Sequence, residues 1–297
     1  MVAGILAVAA GVMAMAPSAE RPIFRFGLVA DTQYADKPTA GTRHYAGSAQ
    51  SLARCVADLK ARRVAFGVSL GDIIDGRGAE SRTDLNAMLA LWAGLGKPVR
   101  HVIGNHCLSV PRKELLPALG LRRGWYEFRK AGWRFIVLDA LDVSVAGPTG
   151  PREAELAKRY MALTPKLPEY DGAIDREQLI WLRVRLADAR ARGDKVVIFC
   201  HLPVHPDSTT APHLLWNHTE VLSAVQSAGC VRAWFAGHDH AGGYANRGGI
   251  HHVTQRGMVE APEGSNAYSV VSVYPDRLAV EGVGLAASHT LDWSGAR

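Results

Sequence analysis

Carboxylate, amide and imidazole side chains recur in this sequence directly after short apolar runs. The first run, residues 23–30, is followed by Asp31 and Gln33. Side chains of the same kinds follow four later runs, and these are Asp72, Asn105, His106, His201, His238 and His240. Such oxygen and nitrogen donors suit Mn²⁺, Fe or Zn²⁺. The donors exceed what one ion needs, so the set predicts two cations that share a carboxylate, an arrangement suited to displacement at phosphorus.

The apolar runs indicate the elements that position these donors. Runs of this length are typical of buried strands, and open α/β sheets bind ligands at the carboxyl ends of their strands. Glycines next to three of the donors (Gly71, Gly104 and Gly237) are expected to let the backbone turn sharply there. His238 and His240 are expected to point to the same side of an extended segment.

Helical and strand patterns alternate in the first part of the chain, and strands dominate the last part. Spacing of apolar residues predicts helices over 44–63, 84–95, 175–193 and 219–228. Short strands are predicted near 250–254, 268–273 and 278–283. This order favours an α/β fold with two packed mixed β-sheets flanked by helices, rather than one doubly wound sheet. We expect one domain over residues 23–297, with the Pro- and Gly-rich segment 142–174 as a lid or insertion without periodicity.

Composition restricts the classes of function. The 297 residues are 48% hydrophobic and 21% charged, which is typical of a soluble globular protein. The formal net charge of +6 comes from basic residues spread along the chain, which predicts a basic surface or attraction of a polyanionic substrate. No basic run is interleaved with aromatics, so we expect no nucleic-acid partner. The four cysteines form no CxxC pair, so buried thiols are expected rather than a zinc knuckle.

Residues 1–22 have the character of a leader. Val2 to Ala16 are apolar and small, a stretch too short for a stable membrane span. The stretch is similar to a signal-peptide core, with Ala14-Met15-Ala16 as a cleavage signature. However, no Lys or Arg precedes it, and Pro17 would follow the cut. We expect export, to the periplasm for example, with a cytoplasmic leader as the alternative.

The order of the donor motifs resembles that of the calcineurin-like metallophosphoesterases. The pattern of that family is D-x-H, G-D, G-N-H, H and G-H-x-H, and this chain departs from it only by Gln33 in place of a histidine. Glutamine there matches one subgroup, the manganese-dependent ADP-ribose/CDP-alcohol diphosphatases. The resemblance to the subgroup covers roughly residues 23 to 284. Further matching stretches are Gly41-Thr42-Arg43, Gly71-Asp72-Ile73-Ile74-Asp75-Gly76, Leu138-Asp139-Ala140-Leu141-Asp142, Trp216-Asn217 and Ala241-Gly242-Gly243-Tyr244.

The resemblance implies a four-layer α/β/β/α sandwich and two divalent ions, Mn²⁺ in preference to Mg²⁺, Fe or Zn²⁺. One ion would be held by Asp31, Gln33, Asp72 and His240, and the other by Asp72, Asn105, His201 and His238. A hydroxide bridging the ions would attack phosphorus, while His106 stabilises the developing charge or protonates the leaving oxygen.

The resemblance also suggests residues around the metal ligands. Asp75 would orient a ligand histidine, with a helix cap as the alternative. Tyr34, Arg43 and Trp216 are the candidate contacts to a substrate base or phosphate, and a core role is the alternative for Trp216.

The implied reaction is hydrolysis of the phosphoanhydride in nucleoside diphosphate-linked small molecules, such as ADP-ribose and CDP-choline. Within the same superfamily, a cyclic-nucleotide phosphodiesterase or a phosphomonoesterase is the alternative. A third hypothesis is a non-catalytic scaffold that binds nucleotides or a partner protein, and Gln33 is its sole support.

Overall fold

The computed structural model describes residues 20–164, 166–210 and 212–293. The predicted leader therefore lies outside the described residues, except for residues 20–22. Within the described ranges, no helix combines the length and the apolar character needed to cross a membrane.

One six-stranded sheet contains the first three strands of the chain. Its strands are β1 (Phe24–Val29), β2 (Gly67–Ser69), β3 (Val99–His101), β12 (Ala267–Val273), β13 (Arg277–Gly284) and β14 (His289–Asp292). They lie in the order β14-β13-β12-β1-β2-β3. β1, β2 and β3 run parallel to one another, so their carboxyl ends lie side by side.

A second six-stranded sheet faces the first. Its strands are β4 (Tyr126–Lys130), β5 (Trp133–Val137), β8 (Lys195–Phe199), β9 (Val231–Ala236), β10 (Gly243–Arg247) and β11 (Ile250–Thr254). They lie in the order β10-β11-β9-β8-β5-β4, with β5, β8, β9 and β11 parallel. Ala131 and Gly132, both with positive φ, form the two-residue turn between β4 and β5, as hairpin geometry requires.

Helices cover the outer faces of both sheets. They are α1 (Gly47–Ala61), α2 (Ser81–Ala93), α3 (Arg112–Ala118), α4 (Pro151–Leu163), α5 (Arg176–Arg192) and α6 (His218–Ala228). Apolar side chains of α1 and α2 pack on the first sheet, and those of α5 and α6 pack on the second. A third apolar layer, rich in phenylalanine, fills the space between the sheets. The predicted two-sheet sandwich flanked by helices is confirmed.

Segment 142–174 contains more regular structure than its sequence indicated. It holds α4 and the paired strands β6 (Val143–Ser144) and β7 (Gly172–Ala173). Ala157 of α4 packs with Val143, Ala173 and the indole of Trp216 in a small apolar cluster of its own. The expectation that the segment has no periodicity was wrong, because α4 carries one narrow apolar stripe and its other faces are polar.

Candidate metal centre

The predicted donors meet at one edge of the sandwich. Asp31 follows β1 and Asp72 follows β2 in the first sheet, while His201 follows β8 in the facing sheet. The Nδ1 atom of His201 lies 2.8 Å from the carbonyl oxygen of Leu70, so the two sheets are joined by a hydrogen bond at this edge. The parallel direction of the strands thus brings distant parts of the chain to one place, as the sequence pattern predicted.

The backbone at this edge adopts an uncommon conformation. Six non-glycine residues in the described ranges have positive φ, and four of them are predicted ligands: Asp31 (51°), Gln33 (37°), Asp72 (47°) and His238 (71°). Left-handed backbone is disfavoured for residues with a Cβ atom, and such residues cluster at functional sites. The concentration of strain here therefore marks this edge as the site of function.

The segment that carries His238 and His240 is not extended. His238 is left-handed, and the amide of Asp239 donates to the carbonyl of Gly237 at 2.8 Å, which closes a tight turn. The expectation of an alternating extended segment was wrong for this reason. The turn nonetheless aims both rings at the cluster, since His238 reaches His201 and His240 reaches Asp31.

Glycines beside the donors serve two different purposes. Gly71 has φ of 104° and makes the sharp turn that was expected. Gly104 and Gly237 do not have positive φ, so for them this expectation was wrong. They are instead sites of close approach: a Cβ on Gly237 would lie 2.6 Å from the carboxylate of Asp31, and one on Gly104 would overlap the carboxylate of Asp72.

Asp72, His201 and His238 form the first donor group. One ligand atom from each lies within 4.8 Å of the others, and all three residues are buried. Because Nδ1 of His201 donates to the Leu70 carbonyl, Nε2 is the atom that faces the cluster, and it offers a lone pair when the ring is neutral. That Nε2 atom lies 3.3 Å from Asp72 Oδ2 and 3.1 Å from Asn105 Oδ1.

A second hydrogen bond fixes His238 in the same way. Its Nε2 atom lies 2.7 Å from Oδ1 of the buried Asp171, so when the carboxylate is ionised Nε2 donates to it and the Nδ1 lone pair faces the cluster. Nδ1 lies 3.2 Å from His201 Nε2. One nitrogen of each imidazole and the Asp72 carboxylate therefore converge, an arrangement that a divalent cation would stabilise in place of a proton.

Asp31, Gln33 and His240 form the second donor group, and Gln33 joins it to Asp72. His240 Nε2 lies 3.7 Å from Asp31 Oδ1, and its Nδ1 lies 2.8 Å from Glu260 Oε1. The amide of Gln33 lies 3.4 Å from Asp72 Oδ2, and its Oε1 atom is buried with no hydrogen-bond partner among the described residues. An orphaned buried oxygen beside two carboxylates fits a hard cation.

Protonation of the metal-free cluster shows which proton a cation would displace: burial opposes the charge of His201, yet the carboxylates of Asp72 and Asp31 raise its pKa to about 9. Burial opposes the charge of Asp72, yet the imidazoles of His201 and His106 hold the pKa of this carboxyl well below its usual range. Burial lowers the pKa of His238, so its ring is neutral at pH 7, the form that binds metal. Burial raises the pKa of Asp31, which is the cost of keeping a carboxyl group here without a cation.

His106 lies at the solvent side of the first group. Its amide donates to Asp72 Oδ1 at 2.9 Å, and its Nδ1 atom lies 2.7 Å from the carbonyl oxygen of Asp75. Asp75 therefore supports His106 rather than a predicted ligand, and it caps none of the described helices, so both expectations for its role were wrong. Its carboxylate pairs with Lys37.

Cys107 is buried, and burial raises the pKa of its thiol to about 12, so it is a core residue.

The candidate substrate residues lie in different surroundings. Arg43 is 43% exposed, and its Nε atom lies 3.7 Å from Glu260 Oε1. Because Glu260 also contacts His240, only this side chain separates the Arg43 guanidinium from that predicted ligand. Tyr34 is half-buried against the core under α1. Trp216 is buried in the small cluster under α4, and its Nε1 donates to the carbonyl of Pro168 at 3.3 Å. The structure thus gives Trp216 a core position.

Two carboxylates of the site escaped sequence reasoning. Asp171 holds His238, and Glu260 holds His240, as described above. Asp171 lies in the Pro- and Gly-rich segment, and Glu260 lies in a short 3₁₀ turn after β11, so neither follows a strand. No local pattern marks them, because their partners are 67 and 20 residues away in sequence.

Comparison with known proteins agrees with this site. The calcineurin-like phosphoesterase family matches residues 24–242, a span that contains all seven predicted ligands. The chain therefore belongs to the calcineurin-like phosphoesterase family, and it is a metal-dependent hydrolase of phosphoric esters or anhydrides.

Relatives that align with most of this chain share one name. The chain is 35% identical to the manganese-dependent ADP-ribose/CDP-alcohol diphosphatase of Oryza sativa subsp. japonica, over 89% of this chain and 92% of the relative. It is 31% identical to the Homo sapiens protein of that name, over 96% of each chain. A crystal structure of a dimetal phosphatase from Danio rerio superimposes with a TM-score of 0.86 at 32% identity, covering 92% of this chain and 100% of that one.

More distant structures share the fold alone. Plasmodium GAP50, an anchor in the inner membrane complex, superimposes with a TM-score of 0.59 at 16% identity over 91% of this chain.

Proposed function

We propose that this protein is a manganese-dependent hydrolase of the phosphoanhydride bond in nucleoside diphosphate-linked compounds, with ADP-ribose and CDP-alcohols such as CDP-choline as substrates. The observation that carries the proposal is the pair of imidazole nitrogens, on His201 and His238, that converge with the Asp72 carboxylate. The similarity to enzymes named manganese-dependent ADP-ribose/CDP-alcohol diphosphatases supports the choice of metal and substrate.

The seven predicted ligands divide between two cations in this proposal. Asp31, Gln33 and His240 hold one, and Asn105, His201 and His238 hold the other, with Asp72 shared between them. When bound, the two cations supply the acidity that activates a water for attack on phosphorus and neutralises the phosphoryl oxygens. Gln33 contributes a neutral amide oxygen where imidazole would favour Zn²⁺, which supports a preference for Mn²⁺.

Residues of the chain handle the proton and the charge. His106 is fixed through Nδ1 to the Asp75 carbonyl, so its Nε2 edge is free to face the reacting phosphate. Its side chain is 30% exposed, so Nε2 can take a proton from solvent and, as the imidazolium, pass that proton to the leaving oxygen. The partly exposed guanidinium of Arg43 is suited to the second phosphate of a diphosphate.

Residues 23–297 act as one catalytic domain in this proposal, and segment 142–174 is part of the wall of the site. Asp171 supports this view, since it is buried and bonded to a predicted ligand rather than placed in a separate unit. The segment therefore contributes a fixed residue to the metal centre, whatever motion its outer helix makes.

A substrate panel tests the reaction. Purified protein with Mn²⁺ should hydrolyse ADP-ribose and CDP-choline faster than 2′,3′-cyclic AMP or p-nitrophenyl phosphate, and release AMP or CMP. Preferential turnover of the cyclic nucleotide or of the monoester would replace the proposal with a phosphodiesterase or phosphomonoesterase. His106→Ala provides a control that keeps the predicted ligands and should lose activity on every substrate.

A further inference from the structure

We propose that Tyr170 and His213 form the surface on which the enzyme receives the nucleobase of its substrate. The inference rests on the proposed function, because it assumes that the site binds a nucleoside diphosphate-linked compound. It adds the location of the ring of the nucleoside, a feature that the metal ligands themselves do not determine.

The tyrosine ring lies at the edge of the metal centre. Its centroid is 5.5 Å from that of His238, and the residue is 42% exposed. The neighbouring Asp171 is buried and bonded to His238, so the backbone that carries Tyr170 is held in place. A partly exposed aromatic ring thus lies beside a predicted metal ligand, and burial of apolar surface in the core does not account for its position.

His213 completes the surface from a different loop. Its ring lies 5.3 Å from His238 and 6.1 Å from Tyr170, inclined by 30° to the tyrosine ring. Its Nδ1 atom is 3.2 Å from the carbonyl of Thr210, so the Nε2 edge remains available. The amide of Thr210 in turn donates to Asp239 at 2.7 Å, which attaches this loop to the turn that carries both ligand histidines.

The position of the Tyr170 and His213 rings favours a planar ring as the ligand. Other large apolar side chains are exposed in the described part of the chain, for example Tyr244, but that ring stacks on His289 and contacts no predicted ligand. Tyr170 and His213 each present a ring face directly beside His238, a predicted metal ligand. Bases of either kind stack on such faces, which suits an enzyme that accepts both adenine and cytosine compounds.

Direct binding of products tests the inference without turnover. AMP and ribose 5-phosphate carry the same sugar phosphate, and only AMP has a base. Calorimetric titration of the Mn²⁺-loaded wild type should show tighter binding of AMP. In Tyr170→Ala, AMP affinity should fall on the order of 10-fold or more, while ribose 5-phosphate affinity stays the same. Tyr170→Phe should keep the AMP affinity, and His213→Ala should lower it in the same selective way.

Tyr244→Ala is the matched control, since it removes an exposed tyrosine ring that packs with His251 and His289 and should leave both affinities unchanged. Equal losses for AMP and ribose 5-phosphate in Tyr170→Ala, or no loss for either, would overturn the inference while leaving the proposed reaction intact. If the wild type bound neither compound and failed the substrate panel, the proposed function itself would be wrong.

Discussion

Replacing Asp171 by alanine should weaken Mn²⁺ binding even though Asp171 is not a predicted ligand. Its Oδ1 atom accepts a hydrogen bond from His238 Nε2 at 2.7 Å, and this bond directs the lone pair of Nδ1 towards His201 and Asp72. Without the carboxylate, the imidazole of His238 is free to rotate or to place its proton on Nδ1. Either change removes one ligand atom from the first donor group.

The expected magnitude follows from the role of the bond. Removing the hydrogen-bond partner of a metal-ligating histidine costs about 10- to 100-fold in metal affinity, or ~1.4–2.8 kcal/mol. Asp171 is fully buried, so solvent cannot replace the lost acceptor and the upper part of this range applies. Asp171→Asn keeps an oxygen acceptor, and its loss should be about tenfold or less.

The Mn²⁺ affinity of both variants is measured by titrating the metal-free protein with Mn²⁺ and following the free ion by electron paramagnetic resonance. Asp142→Asn is the matched control, because Asp142 is a buried carboxylate of the same segment whose contacts are Thr149 and Gln178 rather than a predicted ligand. A folded Asp171→Ala protein with wild-type Mn²⁺ affinity would refute the reasoning, as would an equal loss in the control.

Three further changes have definite expected outcomes. Gln33→His adds an imidazole to the second donor group, so the affinity for Zn²⁺ relative to that for Mn²⁺ should rise about tenfold in a competition titration. An unchanged ratio of the two affinities would contradict the assignment of Gln33 as a ligand. Arg134 is fully buried and pairs with Asp194 at 3.1 Å, so Arg134→Ala should lower the free energy of unfolding by about 3 kcal/mol in urea while Mn²⁺ affinity stays constant. Burial raises the pKa of Asp142 from 3.8 to about 6. The folded state therefore holds that proton more tightly, so the contribution of Asp142 to the free energy of unfolding should rise by on the order of 2 kcal/mol as the pH falls from 6 to 4. Asp142→Asn should remove that rise, and an identical pH profile in the variant would exclude this cause.

The strands and the donors at their ends were predictable because each is a local pattern. The apolar run before Asp31 and the run before His201 both form strands that end within two residues of the predicted donor. Since parallel strands share one edge, the meeting of these donors follows from topology alone. The two-sheet sandwich was predictable for a related reason, because alternating helices and strands give way to strands along the chain.

Features that depend on distant packing were not predictable. α4 buries one narrow stripe against a cluster that includes Trp216, a partner that only the folded chain brings near. Asp171 and Glu260 act through partners that only the folded chain brings near. The left-handed conformation of His238 also has no sequence signal, because the turn that imposes it is closed only in the folded chain.

Anomalous diffraction from crystals of the manganese-loaded protein is the most direct test of the metal centre. The account predicts two manganese peaks per chain, with the Asp72 carboxylate between them. One ion should be bound by Gln33 and His240, and the other by His201 and His238. A single peak, or two peaks away from these side chains, would contradict it.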